Sequence, residues 1–473
     1  MILVRYSEIG LKGPRARSDM ERMLMANIAI ALKTAGINFD FHRDRGRIFI
    51  STEDDNRSVP EVTKVFGVKS VSVVKDVAFA SLADLSEIAE HEFRDKVRGK
   101  TFAVRSRRTG SHKFTSLDMD KEIGRRLLPY SRGVSLVSPE ETAFIEVRDN
   151  RAYLYSSVIY GPGGLPIGSE GKMTALVSGG IDSPIACWRM MKRGCKVDIV
   201  FVSLADPLDT GAFLRQIKRL LSRFGHGFDS NIYLVNGSSL VSILTSGQFK
   251  YPGVSYKRIL YLLAQEIGTR EGSLGIVTGE SLGQVSSQTP ENLLSLSFGL
   301  RLPVHRPLIG MDKDEIIEES RKLDLMPDGN LGEFCSLFSA NPALRVTVDQ
   351  LQSEPIDPSI VSDLISAMTS IRASEIGRYL SDHASSDISA HGDASDSVVI
   401  DLRRKEKYDQ WHYPGSISAG LTDLGRLSDT LDREKKVILY CSKGLQSAHA
   451  ASILRKKGFN ALYTDEETIR RSM

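Results

Sequence analysis

Apolar positions change their rhythm along the chain, and the changes divide it. Over the first third, β-rich stretches at 47–51, 71–77, 101–105 and 142–147 alternate with helical ones at 19–35, 82–98 and 117–128. That interleaving predicts mixed α+β layers. The middle reads as strands at 173–177, 196–202, 231–235 and 274–278, separated by helices at 183–192, 211–224 and 256–268. Apolar strands alternating with helices predict a doubly wound parallel sheet. A last block repeats strand, loop and helix, with strands at 398–403 and 436–440 and a helix at 448–456.

Two breaks separate these blocks. The run Gly161-Pro162-Gly163-Gly164-Leu165-Pro166-Ile167-Gly168 holds four Gly and two Pro in eight residues, which reads as a linker. Residues 381–397 are small and polar with almost nothing to bury, as a tether would be. No internal repeat of fixed period is visible.

Composition excludes several classes. A length of 473 residues argues for about three domains, and 41% hydrophobic with 26% charged residues fits a folded chain rather than a disordered or fibrous one. No apolar run reaches the roughly 18 residues of a membrane helix, and the first residues lack the features of a signal peptide, so the expected location is the cytoplasm. The four cysteines, Cys187, Cys195, Cys335 and Cys441, are too few for a disulfide scaffold and show no CxxC spacing. Cysteine chemistry, if present, rests on single thiols. Residues 1–171 carry 27 Lys and Arg against 23 Asp and Glu, so the small basic excess sits at the front.

The sharpest local signal is Ser178-Gly179-Gly180-Ile181-Asp182-Ser183, placed between an apolar strand and a helix. Glycines admit a phosphate close to the backbone, helix N-terminal amides bind the anion, and the two serines add hydroxyl donors. The loop lacks the Lys of a Walker motif and the GxGxxG spacing of dinucleotide folds. A second polar stretch, Gly279-Glu280-Ser281-Leu282-Gly283-Gln284-Val285-Ser286-Ser287-Gln288-Thr289, follows the strand at 274–278, where the ligand crevice of an open α/β sheet lies. Near the front, Arg105, Arg107, Arg108 and Lys113 put four cations in ten residues, a cluster able to neutralise nucleic-acid phosphates. In the last block Cys441 ends a strand and opens a tight loop before a helix, where amides favour a thiolate or persulfide.

The loop Ser178 to Ser183 resembles the SGGxDS pyrophosphate loop of PP-loop ATPases. Together with Gly279 to Thr289, with Arg306-Pro307-Leu308-Ile309-Gly310-Met311-Asp312-Lys313, and with the opening Arg5-Tyr6-Ser7-Glu8-Ile9-Gly10-Leu11-Lys12-Gly13, it closely resembles the tRNA 4-thiouridine synthetases, or tRNA sulfurtransferases. In that opening Ser7 stands where Gly is usual. The resemblance implies an α/β multidomain protein: an N-terminal α+β ferredoxin-like domain (1–57), a THUMP RNA-binding domain (58–161), a linker (162–172), a PP-loop ATPase domain with a doubly wound parallel sheet (173–380), a flexible linker (381–397) and a small α/β rhodanese-like domain (398–473).

The resemblance also implies roles. ATP would contact Leu176, Val177, Ser178, Gly179, Gly180, Asp182, Ser183, Phe201, Val202, Gly279, Gln288 and Lys257 or its neighbour Arg258, with Asp182 holding Mg²⁺. Arg105, Arg107, Arg108 and Lys113, backed by Lys12, Arg15 and Arg17, would meet tRNA. Cys441 aligns with the persulfide cysteine of rhodaneses, with Gln446 where many of their loops carry Arg, and Cys335 with the family's second functional cysteine; Cys187 and Cys195 read as packing residues. The implied reaction is ATP-dependent adenylation of a tRNA uridine at position 8, followed by sulfur transfer to give 4-thiouridine. A cysteine desulfurase would load Cys441, a Cys335–Cys441 disulfide would form on turnover, and a second role would supply sulfur, through a carrier protein, to the thiazole of thiamine. Two other classes stay open on the residues alone: a PP-loop ligase or amidotransferase acting on another substrate, and a sulfur-carrier or RNA-binding protein in which ATP only regulates.

Overall fold

The computed structural model describes residues 1–44, 46–204, 210–327, 343–382, 397–420, 423–442 and 444–471. The chain divides into two units, Met1–Ser169 and Glu170–Met473. Among the described residues the first holds ten strands: β1 (Ile2–Arg5), β2 (Asp40–Asp44), β3 (Arg47–Ser51), β4 (Ser70–Val73), β5 (Lys75–Ala78), β6 (Thr101–Thr109), β7 (Gly133–Val134), β8 (Glu141–Arg148), β9 (Arg151–Tyr155) and β10 (Ile159–Tyr160). They form two sheets, ordered β10-β4-β1-β3-β2 and β5-β9-β8-β6-β7.

The first sheet is antiparallel throughout. Its helix Pro14–Thr34 begins with Pro in the first turn, where no amide partner is needed. Leu24, Ile28 and Leu32 recur on one helical face and pack with Ile2, Val4, Ile48 and Ile50. The opposite face of β1 and β3 puts Leu3 and Phe49 in a cluster with Tyr153 and Tyr155 of the second sheet. Both faces of β1 are therefore buried, which explains its unbroken apolar run. In the second sheet, Leu85 and Phe93 of the helix Leu82–Phe93 and Met119 and Ile123 of the helix Ser116–Leu127 cover Phe102, Val104 and Ile145.

Three details depart from the sequence reading. The single stretch at 71–77 splits at Val74, whose amide bonds to Met1 O at 2.9 Å, and its halves join different sheets. The first sheet takes β4 and β10 from beyond residue 57, so the segment carrying the second sheet enters and leaves between two of its strands. The Gly/Pro run is not a loose connection, because residues 164–167 are buried. Leu165 enters the first core, Gly67 N donates to Gly163 O at 2.8 Å, and a Cβ on Gly161 would lie 2.6 Å from Val68 O. Gly161 permits close packing, while Gly163, Gly164 and Gly168 take positive φ.

The second unit opens with a six-stranded sheet of β11 (Lys172–Leu176), β12 (Lys196–Ser203), β13 (Asn231–Asn236), β14 (Ile276–Val277), β15 (Val304–His305) and β16 (Met368–Arg372), ordered β15-β14-β11-β12-β13-β16. The first five are parallel, as expected, and the edge strand β16 runs antiparallel to β13. β11 pairs on one side with the next strand in the chain, β12, and on the other with β14. That reversal of direction opens a crevice at the carboxyl ends of β11 and β14. A smaller, all-parallel sheet follows: β17 (Ser397–Asp401), β18 (Ile417–Ser418), β19 (Lys436–Cys441) and β20 (Ala461–Asp465), ordered β18-β17-β19-β20. The proposed tether falls almost wholly on residues 383–396, outside the described residues.

Candidate functional site

A cavity of about 170 Å³ occupies the crevice between β11 and β14. Its walls come from four places: the end of β11 and the loop after it, alternate residues of β12, the helix Pro252–Arg270, and the segment after β14. Leu176, Val177, Val200, Val202 and Leu260 make an apolar slot beside the polar loop. An apolar slot for a flat ring next to amide and hydroxyl donors suits a nucleoside phosphate.

The loop is closed by its own serines. Ser178 N donates to Ser183 Oγ at 3.0 Å, and the Ser183 hydroxyl donates to Ser178 O at 3.2 Å. Gln216, fully buried on the helix Gly211–Phe224, steadies the loop by donating to Gly180 O at 3.2 Å and to Leu325 O at 2.8 Å. Neither Gly179 nor Gly180 has a positive φ, and a Cβ on Gly180 would meet nothing nearer than 3.5 Å. The glycine at 180 therefore leaves room above the loop instead of serving its backbone conformation. Gly279 is different: a Cβ there would lie 2.6 Å from Ser183 N, so the segment after β14 and the first turn after the loop touch backbone to backbone.

Asp182 opens the helix Asp182–Lys192 and is held from two sides. Lys313 Nζ meets its Oδ1 at 2.6 Å, and Gln284 Nε2 donates to Oδ2 at 2.8 Å. Behind them Glu280 is buried and hydrogen-bonded throughout: Lys257 Nζ donates to Oε1 at 3.2 Å, while Tyr261 OH at 2.5 Å, Arg306 Nε at 2.9 Å and Thr278 Oγ1 at 3.0 Å donate to Oε2. Burial by itself pushes Glu280 up; Lys257, Tyr261 and Arg306 outweigh it and hold the carboxyl below its ordinary value. Burial raises the Tyr261 phenol well above its usual value, so it stays a donor.

Most of the expected ATP contacts meet here. Leu176, Val177, Ser178, Asp182, Ser183, Val202, Lys257, Gly279 and Gln288 line the cavity. Phe201 does not, because side chains alternate along β12; it stacks on Phe213 at 4.0 Å on the other face. Of the neighbouring cations the cavity takes Lys257, whereas Arg258 turns away and donates to Leu296 O at 2.7 Å. Gly179 and Gly180 belong to the loop without lining the cavity. Glu280, Gln284 and Tyr261 are cavity residues that the sequence reading did not single out. The signal for the first two was their place in the polar stretch after β14; for Tyr261 there was none, since it sits in an apolar helix.

The residues present fit ATP. Gln288 lines the cavity, and its buried Oε1 has no hydrogen-bond partner. Among the described residues no group of three or more His, Cys, Asp or Glu forms a metal cluster. One carboxylate such as Asp182 plus substrate phosphates is nonetheless the donor set Mg²⁺ ordinarily takes.

Cys441 ends β19 and is buried, with its Sγ 3.5 Å from Ser447 Oγ. Next to it Asp401 and Arg403 form a buried pair, with Arg403 Nη2 2.6 Å from Oδ2. Tyr440 OH donates to the same oxygen at 2.5 Å, and Arg403 also reaches Glu466 at 2.8 Å. This network fixes the ends of β17 and β19, and with them the backbone leading to the thiol. Cys335 lies outside the described residues. Burial pushes the Cys187 thiol up to about 12 and Cys195 up to about 11, which suits packing residues.

In the first unit Arg105 and Arg107 project to solvent from one face of β6, and Lys113 is also exposed. Arg105 also donates to Leu136 O at 3.3 Å, and the half-buried Arg108 turns back to donate to Gly110 O at 2.9 Å. Arg15 is exposed and Lys12 half-buried, while Arg17 clasps the turn before its helix through Gly10 O at 2.7 Å and Lys12 O at 3.2 Å. Two further arginines are spent inside the fold instead. Arg47 and Arg148 share Glu146 at 3.0 Å each, and burial, with the nearby Arg148, Arg5 and Arg107, lowers the Arg47 value.

The family described as "Thiamine biosynthesis protein (ThiI)" matches residues 168–356, the "ThiI ferredoxin-like domain" 1–72, the "THUMP domain" 79–157 and the "Rhodanese-like domain" 385–466. The tRNA sulfurtransferase of Thermoplasma volcanium is 44% identical over 463 residues, covering 98% of this chain and 95% of that protein. That of Pyrobaculum aerophilum is 37% identical, covering 98% and 96%. A 4-thiouridine synthetase solved as an RNA complex with bound ATP is 29% identical with a TM-score of 0.65, over 78% of this chain and 98% of that one. Among the described residues no helix is long and apolar enough to cross a membrane.

Proposed function

Because the chain belongs to the tRNA sulfurtransferase family, we propose that it converts a uridine of tRNA, at position 8, into 4-thiouridine in two stages, activation by ATP and sulfur transfer. The observation that carries this reading is the cavity between β11 and β14, where an apolar slot, a serine-closed loop and the Asp182–Lys313–Gln284 set converge. In the first stage the uracil O4 attacks the α-phosphorus of ATP as the N3 proton leaves to water; a new P–O bond forms, the bond from the α-phosphorus to the bridging oxygen breaks and pyrophosphate leaves. Ser178, Ser183 and the loop amides grip the departing phosphates, and Lys257 and Lys313 offset their charge. Asp182 would hold Mg²⁺, which when bound would supply further charge neutralisation.

In the second stage Cys441 carries a persulfide received from a cysteine desulfurase. The Cys335 thiolate attacks the Cys441 sulfur and expels hydrosulfide, leaving a Cys335–Cys441 disulfide. Hydrosulfide adds at C4 and AMP leaves, the S–H proton passing to N3; two external thiols, themselves oxidised to a disulfide, then supply the two electrons that reset the Cys335–Cys441 disulfide. The family's description as a thiamine biosynthesis protein supports a second destination for the same sulfur, the thiamine thiazole, by way of a carrier protein. Exposed Arg105, Arg107, Lys113 and Arg15 supply phosphate contacts for tRNA. The reading places the enzyme in the cytoplasm, where its tRNA substrate is.

The deciding experiment feeds radiolabelled cysteine sulfur, through a desulfurase, to the purified protein with unmodified tRNA, Mg²⁺ and reductant. Label in thiouridine only when ATP is present is the expected result. Label that ignores ATP, or none in RNA with a competent desulfurase, overturns the proposal.

A further inference from the structure

Resting on the reading of Cys441 as the sulfur carrier, we propose that Ser447 is a catalytic residue of the C-terminal module, its hydroxyl being the group that holds the Cys441 sulfur as an anion. Cys441 Sγ and Ser447 Oγ lie 3.5 Å apart, and both residues are buried. The same Oγ is 2.8 Å from Gly444 O and 2.8 Å from Thr464 O. A hydroxyl has a single proton to donate, and here three atoms compete for it. With a neutral thiol the S–H donates to Ser447 Oγ and the hydroxyl proton goes to a carbonyl. Once the sulfur is an anion it can only accept, and the hydroxyl proton turns to it. Ser447 thus exchanges a hydrogen bond to backbone for a stronger, charge-assisted one at the reacting atom.

The surrounding charges make this donor matter. Asp401 at the end of β17 and Arg403 just beyond it are spent on each other, with Tyr440 and Glu466 completing the network. On β20, Asp465 is the register partner of Cys441, and its Oδ1 accepts Thr468 N at 2.7 Å. On the helix Leu424–Ser428, Arg426 is exposed. The helix Leu445–Lys456 offers neutral Gln446 and Ser447 in its first turn, with no Arg there. Among the described residues, Ser447 is the side chain within hydrogen-bond distance of the sulfur. A donor to the charged form favours that form, so removing it makes the anion harder to reach.

The test is iodoacetamide labelling of Cys441 in the full-length protein from pH 5 to 10, read by peptide mass spectrometry, with Trp188 replaced by Phe throughout so that Trp411 emission reports that the module is folded. The S–C bond forms at the thiolate as iodide leaves. In Ser447→Ala the midpoint should rise by about one pH unit, slowing labelling about tenfold below it. Ser447→Thr, which restores a hydroxyl, should return the midpoint toward that of the wild type. A change in rate at every pH with an unmoved midpoint marks a purely structural serine and overturns the proposal. Persulfide loading from a desulfurase is followed in parallel. A wild-type Cys441 that takes no persulfide defeats the carrier reading itself; one that does, with Ser447→Ala unshifted, defeats only the role of Ser447.

Discussion

Neighbouring cations at 257 and 258 make opposite predictions. Lys257 lines the cavity beside Glu280, whereas Arg258 donates to the Leu296 carbonyl. Lys257→Met should raise the KM for ATP in pyrophosphate release at least tenfold. Arg258→Met should leave KM near the wild-type value and lower the Tm, because a buried carbonyl loses its donor. Glu280 gives a pH prediction with a definite sign. Its folded-state value is depressed, so its contribution is fully present above the ordinary carboxylate range and is lost as pH falls through that folded value. The Tm gap between wild type and Glu280→Gln, wide at pH 7 because Lys257 and Arg306 lose their counter-ion, should narrow below about pH 4.5. A constant gap down to pH 3 would show that the carboxylate is not what balances those cations.

Elements differ in how plainly they announce themselves. The helix Gly211–Phe224 carries Phe213, Leu214, Ile217, Leu220, Leu221 and Phe224 on one buried stripe, and β12 is buried almost end to end, so local pattern sufficed for both. β16 is half-exposed, and only its pairing with β13 makes it a strand, a contact between residues far apart in sequence. The site divides the same way. The loop at 178–183 was legible because its chemistry is local, whereas the Glu280, Tyr261 and Arg306 cluster assembles from three separate segments. Gln216 belongs to the hidden kind, a polar residue within an apolar stripe that proves to link the loop to Leu325. Gln216→Leu leaves the Gly180 and Leu325 carbonyls without that donor; only Leu325 is fully buried, so one full loss of about 1–3 kcal/mol is expected. Chemical denaturation should show a drop in that range, and ATP affinity should fall because the loop loses its brace.

At the scale of the whole molecule the two chemistries should separate by mutation. Asp182→Ala should abolish tRNA-dependent pyrophosphate release while filter binding of tRNA is unchanged. Cys441→Ser should leave pyrophosphate release intact and stop sulfur transfer from a desulfurase. Loss of both activities in the Cys441 variant would mean that the modules do not work independently. The order of strands in the first unit has a further consequence, for biosynthesis. β4 is flanked by β1 on one side and by β10 on the other, and Ile159↔Val71 closes that edge. As the chain leaves the ribosome, β4 therefore waits with an open edge until the whole of the second sheet has been translated. An open strand edge invites pairing with other chains, so stalled or truncated products ending between residues 74 and 158 should be the ones that aggregate or recruit chaperones.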